Sequence, residues 1–138
     1  MTALYILDTD HLSLYGRNHP QVVTRLQLEQ GRFATTAINV EEQLRGRLAQ
    51  VAQARDTALS NAYQRLVETL LLLSEFQILP YDSNCHSIYQ LLKAQKIRVG
   101  TQDLRIASIA LAHNGILLTR NLQDFEKVPH LAIQDWSV

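Results

Sequence analysis

The feature that most constrains the fold is a series of short apolar runs that alternate with longer segments of helical spacing. The first run, "ALYIL" at residues 3–7, is apolar on both faces of an extended chain and stops at polar residues. That pattern is typical of a strand buried in a parallel sheet. Similar runs predict strands at residues 32–38, 76–82 and 115–119, with a short fifth at 131–133.

Helical spacing fills the intervals between these runs. We predict helices at residues 11–15, 20–30, 83–96 and 102–113, and two more within 40–76 that bend near 53–56. Asp10 is expected to cap the first helix and Gly31 to end the second, and Leu91 to face inward on the helix at 83–96. The long segment carries an apolar stripe expected to pack largely into the core, with the members Leu59, Tyr63, Leu66, Leu70 and Leu73.

Strands that alternate with helices predict an α/β fold: a central, mostly parallel sheet of four to five strands between two helical layers. The paired helices within residues 40–76 would form a helical hairpin inserted between two strands. With 138 residues and neither repeats nor a linker, the chain is expected to form a single domain over residues 1–138. In such sheets, a functional site lies at the carboxyl ends of the strands.

The composition narrows the possible functions. Lys and Arg number 13, as do Asp and Glu, so the net charge gives no general attraction to nucleic acid or to an anionic membrane. Nucleic-acid binding would therefore depend on local basic patches. No basic segment precedes the first apolar run, and the longest apolar stretch, residues 70–73, is too short to cross a bilayer. We expect a soluble cytoplasmic protein with no membrane partner.

Acidic residues follow several of the predicted strands, at the end where a site is expected. They are Asp8, Asp10, Glu41, Glu42, Asp103 and Asp124. Four carboxylates that converge in one cleft repel each other unless some are protonated or a cation joins them. Because no Cys or His cluster has zinc spacing, oxygen ligands favour a hard ion, chiefly Mg²⁺ or Mn²⁺. The sequence therefore predicts a metal site able to activate water for attack on a phosphate.

Each acid taken alone also has a purely structural explanation. Asp8 could cap a turn, and Asp10 or Asp103 could cap a helix. One of the two adjacent glutamates could complement a helix dipole, and Asp124 could be an ordinary loop acid. Helical neighbours point about 100° apart, so only one of the glutamates should face the site, and the spacing leaves that choice open. The joint placement of the acids at one edge of the sheet favours the metal site.

Four segments, "LYILDTDHLS", "TTAINVEEQLRG", "GTQDLRIASIALAHNGILLTRNLQDF" and the closing "DW", resemble the PIN-domain family. The resemblance is strongest to the toxin ribonucleases of VapBC-type toxin–antitoxin pairs. It covers nearly the whole chain and rests on the order and spacing of motifs that are individually weak. It implies a PIN-like parallel sheet between helices, in agreement with the pattern above, and metal-dependent cleavage of RNA phosphodiester bonds.

The resemblance also implies roles for single residues. The catalytic, metal-binding acids would be Asp8, Glu42, Asp103 and Asp124, with Mg²⁺ or Mn²⁺ as the cofactor. Glu42 is favoured over Glu41 because the family's Glu stands four residues before a glycine, here Gly46. Polar groups that assist the ligands or touch the substrate are implied at Asp10, Thr119, Arg120 and Asn121. His11, next to this centre, is expected to be a helix-start residue that is hydrogen-bonded locally.

RNA is the implied substrate, and attack by water would leave a 5′-phosphate and a 3′-hydroxyl. Basic residues that could hold the RNA backbone are Arg17, Arg45, Arg47, Arg98, Arg105 and Arg120. Two protein partners are implied as well. One is a cognate VapB-type antitoxin whose tail fills the acidic groove and which grips the helices within residues 40–76. The other is a second copy of this chain, in a homodimer.

Two rival functions are open from the sequence. A haloacid-dehalogenase-type phosphohydrolase also begins with a strand and "DxD", and Asp8 would be its nucleophile. That class needs a Lys near a later strand end, whereas Lys93 and Lys96 fall within a predicted helix. The other rival is a non-catalytic PIN-like module that only binds protein or RNA. The acids retained at Asp8 and Asp103 favour the nuclease.

Overall fold

The computed structural model describes residues 2–138, which form five strands and seven helices. In chain order these are β1 (Ala3–Leu7), α1 (Thr9–Gly16), α2 (Pro20–Leu28), β2 (Gly31–Thr36), α3 (Ala37–Gln53), α4 (Thr57–Leu73), β3 (Gln77–Leu79), α5 (Ser83–Ala94), α6 (Thr101–Ala112), β4 (Ile116–Leu118), α7 (Leu122–Phe125) and β5 (Ala132–Gln134).

The five strands pair in parallel in the order β3-β2-β1-β4-β5. β1 is central, since Ile6 pairs with Ala34 of β2 on one side and with Leu117 of β4 on the other. The chain first extends the sheet through β2 and β3, and then returns to the other side of β1 to add β4 and β5. The direction of the strand order therefore reverses between β1 and β4, and ligand sites form at such crevices.

Alternate side chains of β1 enter two separate cores. Leu4 and Ile6 pack with residues of α5 and α6, whereas Leu7 packs on the opposite face with residues of α1, α2 and α4 and with Trp136. Ile6 and Leu7 are both fully buried. Helices therefore cover both faces of the sheet. This arrangement confirms the predicted three-layer α/β/α fold and explains why β1 is apolar on both faces.

The predicted helical hairpin is confirmed as α3 and α4, and the break falls at residues 54–56. Arg47 Nε of α3 donates a hydrogen bond to Thr69 Oγ1 of α4 at 2.8 Å, which ties the two helices together. The expectation that the apolar stripe of α4 packs largely into the core is wrong. Tyr63 is 53% exposed and Leu70 is 48% exposed, whereas Leu73 is buried. The face that α4 buries instead carries the smaller residues Ala62 and Thr69.

Several element boundaries differ from the predictions. Asp8, not Asp10, caps α1, because its carboxylate accepts a hydrogen bond from the Thr9 backbone N–H. The second helix ends at Leu28, and Gly31 is the first residue of β2 instead of a helix stop.

Two further expectations fail on the flanks of the sheet. The strand predicted at residues 32–38 ends at Thr36, two residues earlier than expected. The Thr36 side chain accepts a hydrogen bond from the Asn39 N–H, and α3 therefore begins at Ala37. Leu91 is 65% exposed, since α5 directs Cys85, Tyr89 and Leu92 to the core. The short helix α7 was not predicted. Among residues 2–138, no helix combines the length and the apolar character that a membrane span requires.

Candidate active site

Asp8 lies at the carboxyl end of the central strand and is only 7% exposed. Three donors hold its carboxylate. Oδ1 accepts from the Thr9 N–H at 2.9 Å and from Asn39 Nδ2 at 2.8 Å. Oδ2 accepts from the Thr119 hydroxyl at 2.9 Å. Burial, followed by the negative charge of Asp10, raises the pKa of Asp8, while the three hydrogen bonds act in the opposite direction.

Asn39 is a site residue that the sequence reasoning missed. Its side chain is fully buried and joins the start of α3 to the end of β1. Asn39 Oδ1 accepts from the Thr36 hydroxyl at 2.7 Å, and Asn39 Nδ2 donates to Asp8 and, at 3.0 Å, to Thr9 Oγ1. The spacing Thr36-x-x-Asn39 resembles a capping box with Asn in the third position, and this signal could have placed Asn39 at the mouth of the sheet.

Thr119 connects strand β4 to the acidic residues. It is fully buried, its backbone N–H donates to the Gln134 carbonyl at 2.9 Å, and its hydroxyl donates to Asp8. The same hydroxyl oxygen accepts from the Asn121 N–H at 3.0 Å. The Arg120 N–H donates to Asp10 Oδ2 at 3.0 Å, so Arg120 contacts the centre through its backbone. The loop after β4 therefore contributes polar contacts to both early aspartates.

His11 is fully buried next to the centre. Its Nδ1 lies 2.6 Å from Asp10 Oδ1, and its Nε2 accepts a hydrogen bond from the Trp136 backbone N–H at 3.0 Å. The expected local hydrogen bond of His11 is present, with Asp10 as its partner. The second bond, to Trp136, was not expected. The bond to Trp136 spans 125 residues, and single-sequence spacing carries no signal for a contact at that distance.

The two adjacent glutamates point in different directions. Glu41 forms an ion pair with Arg45 and accepts from Gln102 Nε2 at 2.9 Å. Glu42 accepts a long hydrogen bond of 3.5 Å from Thr9 Oγ1, which in turn accepts from Asn39. Burial, followed by the charges of Asp8 and Asp103, raises the pKa of Glu42. Glu42, and not Glu41, thus interacts with the other acids.

Asp103 and Asp124 complete the acidic group from α6 and α7. Burial, followed by the charges of Asp8, Asp124 and Asp10, raises the pKa of Asp103 to about 6. Asp103 lies in the first turn of α6, whose N-cap is Gly100. Asp124 accepts from Asn121 Nδ2 at 3.2 Å and from Lys127 Nζ at 3.4 Å. The structure therefore brings the acids from four separate elements to one edge of the sheet.

The chemistry of this group fits a hard divalent cation. Asp8, Glu42 and Asp103 have raised pKa values because they are partly or wholly withdrawn from water and because each lies near the charge of at least one other carboxylate. A cation would offset both effects, and an all-carboxylate set suits Mg²⁺ or Mn²⁺. Among residues 2–138, no three Asp, Glu, His or Cys side chains already enclose an ion-sized position.

Several of the arginines predicted to bind RNA already contact other side chains of the protein. Arg45 pairs with Glu41, and Arg47 bonds to Thr69. Arg105 donates to Gln102 and lies over the Tyr89 ring, 5.5 Å from its centroid. Arg17 borders a groove of about 1140 Å³ between α1, α2 and α4 that the four acids do not line. This groove, though large, is therefore separate from the acidic centre.

Residues 5–131 match the sequence profile of the PIN domain. The chain belongs to the PIN-domain family. Three relatives extend this result. The tRNA(fMet)-specific endonuclease VapC of Salmonella typhimurium is 26% identical over 137 residues, covering 96% of this chain and 97% of that protein. Ribonuclease VapC1 of Haemophilus influenzae strain R2866 is 25% identical over 97% of this chain and 98% of its own. Ribonuclease VapC2 of Rickettsia felis is 31% identical over 70 residues, which is 48% of this PIN-family chain and 52% of that protein.

Solved structures agree with the PIN-domain assignment. The DNA-bound VapBC of Salmonella typhimurium superimposes with a TM-score of 0.80 at 25% identity, covering 99% of both chains. VapBC-1 from nontypeable Haemophilus influenzae superimposes with a TM-score of 0.77 at 26% identity, covering 98% of this chain and 99% of that one. The central parallel sheet and the helices on both of its faces are thus those of a PIN-domain protein.

Proposed function

We propose that this protein is an endoribonuclease and the toxin of a type II toxin–antitoxin pair of the VapBC kind. The observation that carries the proposal is the convergence of four acids from α3, α6, α7 and the end of β1. They are Asp8, Glu42, Asp103 and Asp124. The nearly full-length similarity to proteins named as VapC ribonucleases supports RNA as the substrate, and a cytoplasmic location is part of the proposal.

The four acids would hold Mg²⁺ or Mn²⁺. When bound, such an ion lowers the pKa of a water molecule and offsets the charge that builds on a phosphate during displacement. Asp8 is the best-fixed ligand, because Asn39 and Thr119 hold one carboxylate oxygen each. Glu42 and Asp103 are only partly buried, which leaves them room to adjust. Asp10, beside Asp8, would assist through hydrogen bonds.

The reaction would be attack of water on the phosphorus, with the 3′-oxygen leaving. A 5′-phosphate and a 3′-hydroxyl would result, and the RNA 2′-hydroxyl would take no part. Arg120 has an exposed side chain immediately after Thr119, and it is the basic residue best placed to contact the RNA backbone near the acids. Asn121 orients Asp124 through the hydrogen bond described above.

A VapB-type antitoxin and a second copy of the chain are the proposed protein partners, in keeping with the VapBC complexes among the structural relatives. The exposed apolar side chains of α4 offer a surface for the antitoxin. They include Tyr63, Val67, Leu70 and Leu71. The groove between α1, α2 and α4 adjoins this surface, because Leu71 lines it as well.

The proposal is tested by incubating purified protein with a labelled RNA panel of transfer, ribosomal and messenger RNA, in Mg²⁺, in Mn²⁺ and in EDTA. Initiator transfer RNA belongs in the panel because the Salmonella relative is named for cutting it. Asp8→Asn and Asp103→Asn are assayed alongside the unmodified protein. We expect metal-dependent cleavage with 5′-phosphate ends, abolished in EDTA and in both variants.

Other outcomes would overturn the proposal. Cleavage that continues in EDTA, or in Asp8→Asn, would contradict a carboxylate-held metal. Release of phosphate from small phosphomonoesters without RNA cleavage would favour the haloacid-dehalogenase type of reaction. Tight RNA binding with no cleavage in any metal would favour a non-catalytic module.

A further inference from the structure

The protonation of His11 is fixed by its surroundings. Trp136 donates its backbone N–H to His11 Nε2 at 3.0 Å, so Nε2 must present a lone pair. Asp135 Oδ1 lies 3.6 Å from the same nitrogen, beyond hydrogen-bond distance, and already accepts from the N–H and the hydroxyl of Ser137. The ring therefore carries its proton on Nδ1, while Nε2 is the acceptor. The partner of one ring nitrogen sets the state of the other.

The Nδ1 proton points at the acidic centre. It is donated to Asp10 Oδ1 at 2.6 Å. The other oxygen, Asp10 Oδ2, accepts from the Arg120 N–H at 3.0 Å and lies 3.4 Å from the Thr119 hydroxyl oxygen. Donors thus hold both oxygens of Asp10. This carboxylate is close enough to Asp8 and to Asp103 to contribute to the raised pKa of each.

Trp136, whose backbone N–H donates to His11, is itself held firmly. Trp136 is only 1% exposed, and its ring packs against Tyr5 with centroids 4.9 Å apart. The Arg25 guanidinium lies 4.5 Å from the centroid of the Trp136 ring. Its indole N–H donates to the side chain of Gln134, the residue whose backbone carbonyl binds Thr119. Residues 134–136 therefore support the acidic centre at two points.

We propose that His11 is a positioning residue of the acidic centre: Trp136 holds it as the Nδ1–H tautomer, and it fixes the Asp10 carboxylate beside Asp8. The functional part rests on the proposed metal-dependent cleavage, in which Asp10 assists the metal ligands. Groups that orient ligands in this way typically change metal affinity or activity by about 10–100-fold when they are replaced.

Two substitutions separate the two hydrogen bonds of the ring. In His11→Asn, the amide nitrogen takes the place of Nδ1 and can still donate to Asp10. In His11→Gln, the terminal amide reaches the place of Nε2 and can still accept from Trp136, but nothing donates to Asp10. Mn²⁺ binding is measured by water-proton relaxation, and RNA cleavage is measured as separate kcat and KM values. A thermal scan verifies folding.

For His11→Asn we expect Mn²⁺ affinity and kcat within about threefold of the unmodified protein, and for His11→Gln about a tenfold loss of both with little change in KM. Equal losses in the two variants would overturn the proposal, because they would indicate a role in packing alone. Unchanged behaviour of His11→Gln would overturn it as well.

A second measurement decides the case in which either variant fails to fold. A long-range ¹H–¹⁵N spectrum of the unmodified protein at neutral pH should identify His11 as the Nδ1–H tautomer, and an Nε2–H tautomer would refute the proposal. If the unmodified protein neither cuts RNA nor binds Mn²⁺ more tightly than Asp8→Asn, the proposed function fails. The imidazole spectrum still decides the state of His11.

Discussion

Asn39 and Asp8 stand 31 positions apart in the sequence, and their side chains share a buried hydrogen bond of 2.8 Å. The bond joins the start of α3 to the end of β1. It places a neutral donor against a carboxylate that is almost completely withdrawn from water. Because a buried carboxylate that loses a donor is costly, this contact should govern both the stability of the protein and the geometry of its acidic centre.

Asn39→Ala should lower the free energy of unfolding by about 1–3 kcal/mol, the usual cost of leaving a buried polar partner unsatisfied. Urea denaturation measures the change. Asn61→Ala, at an exposed position on α4, is the matched control and should change stability by less than about 0.5 kcal/mol. Equal effects of the two substitutions would mean that the Asn39–Asp8 bond contributes nothing.

Thr119→Val keeps the shape of the side chain but removes the hydroxyl that donates to Asp8 and accepts from Asn121. We expect it to destabilise the protein by about 1–3 kcal/mol and to lower RNA cleavage. Thr119→Ser retains the hydroxyl and should recover most of both properties. If Thr119→Ser is as impaired as Thr119→Val, the methyl group and not the hydroxyl is the important part.

Glu42→Gln and Glu41→Gln form a matched pair of neighbours with the same chemical change. Glu42 interacts with Asp8 and Asp103, whereas Glu41 pairs with Arg45. Glu42→Gln should reduce metal-dependent cleavage by at least about 10–100-fold, the loss typical of groups that only support a metal ligand. Glu41→Gln should stay within about threefold, because exposed ion pairs are weak. The reverse order would assign the site to Glu41.

The raised pKa of Asp103 predicts that the stability of the metal-free protein depends on pH. Its pKa rises to about 6 on folding, whereas an Asp in an unfolded chain titrates near 4. The folded state therefore binds more protons between these values. The contribution of Asp103 to the free energy of unfolding should fall as the pH rises from about 4 to about 6, and it should stay low above that range.

Asp103→Asn tests this linkage in urea titrations with EDTA. At pH 7 the variant should be more stable than the unmodified protein by on the order of 1 kcal/mol, a value reduced for the solvent screening of a half-exposed group. The difference should shrink toward pH 4. Saturating Mg²⁺ should reverse it, because only the unmodified protein keeps the ligand. A difference that does not depend on pH would refute the linkage.

The exposure of α4 gives a contrast between two leucines. Leu73→Ala should cost about 2–5 kcal/mol, because Leu73 is buried against α1 and α2. Leu70→Ala, three residues earlier and half exposed, should cost less than about 1 kcal/mol. Thermal unfolding of the isolated protein measures both. Similar costs would indicate that a second chain covers Leu70 in solution.

The sheet and most helices were predictable because apolar periodicity reports directly which faces are buried. The run at residues 3–7 identified a strand buried on both faces, and the break near residues 53–56 separated α3 from α4. The stripe on α4 was misjudged, since periodicity reveals an apolar face but not what covers it. Small residues such as Ala62 and Thr69 can take the buried position instead.

The acids could be grouped without coordinates because Asp8 and Asp124 follow parallel strands that end at a common edge, and Asp103 lies in the first turn of the helix that precedes β4. The neutral groups that hold them were not predicted in full. Asn39 holds Asp8 through its side-chain amide, and the Trp136 backbone N–H acts indirectly, because it donates to His11, which contacts Asp10. A backbone donor has no sequence signature. His11 follows β1 and Trp136 follows β5, and only the order of the strands in the sheet brings these distant parts of the chain together.

That strand order also has a consequence for the timing of synthesis. Asp8 is translated early, whereas Thr119 and residues 134–136, which complete its surroundings, follow more than a hundred residues later. At about 5–20 residues per second, the interval is on the order of ten seconds. During that time β4 has not yet paired with β1, and Asp8 lacks one of its donors. The acidic centre, and with it the proposed ribonuclease activity, is therefore complete only after almost the whole chain has been synthesised.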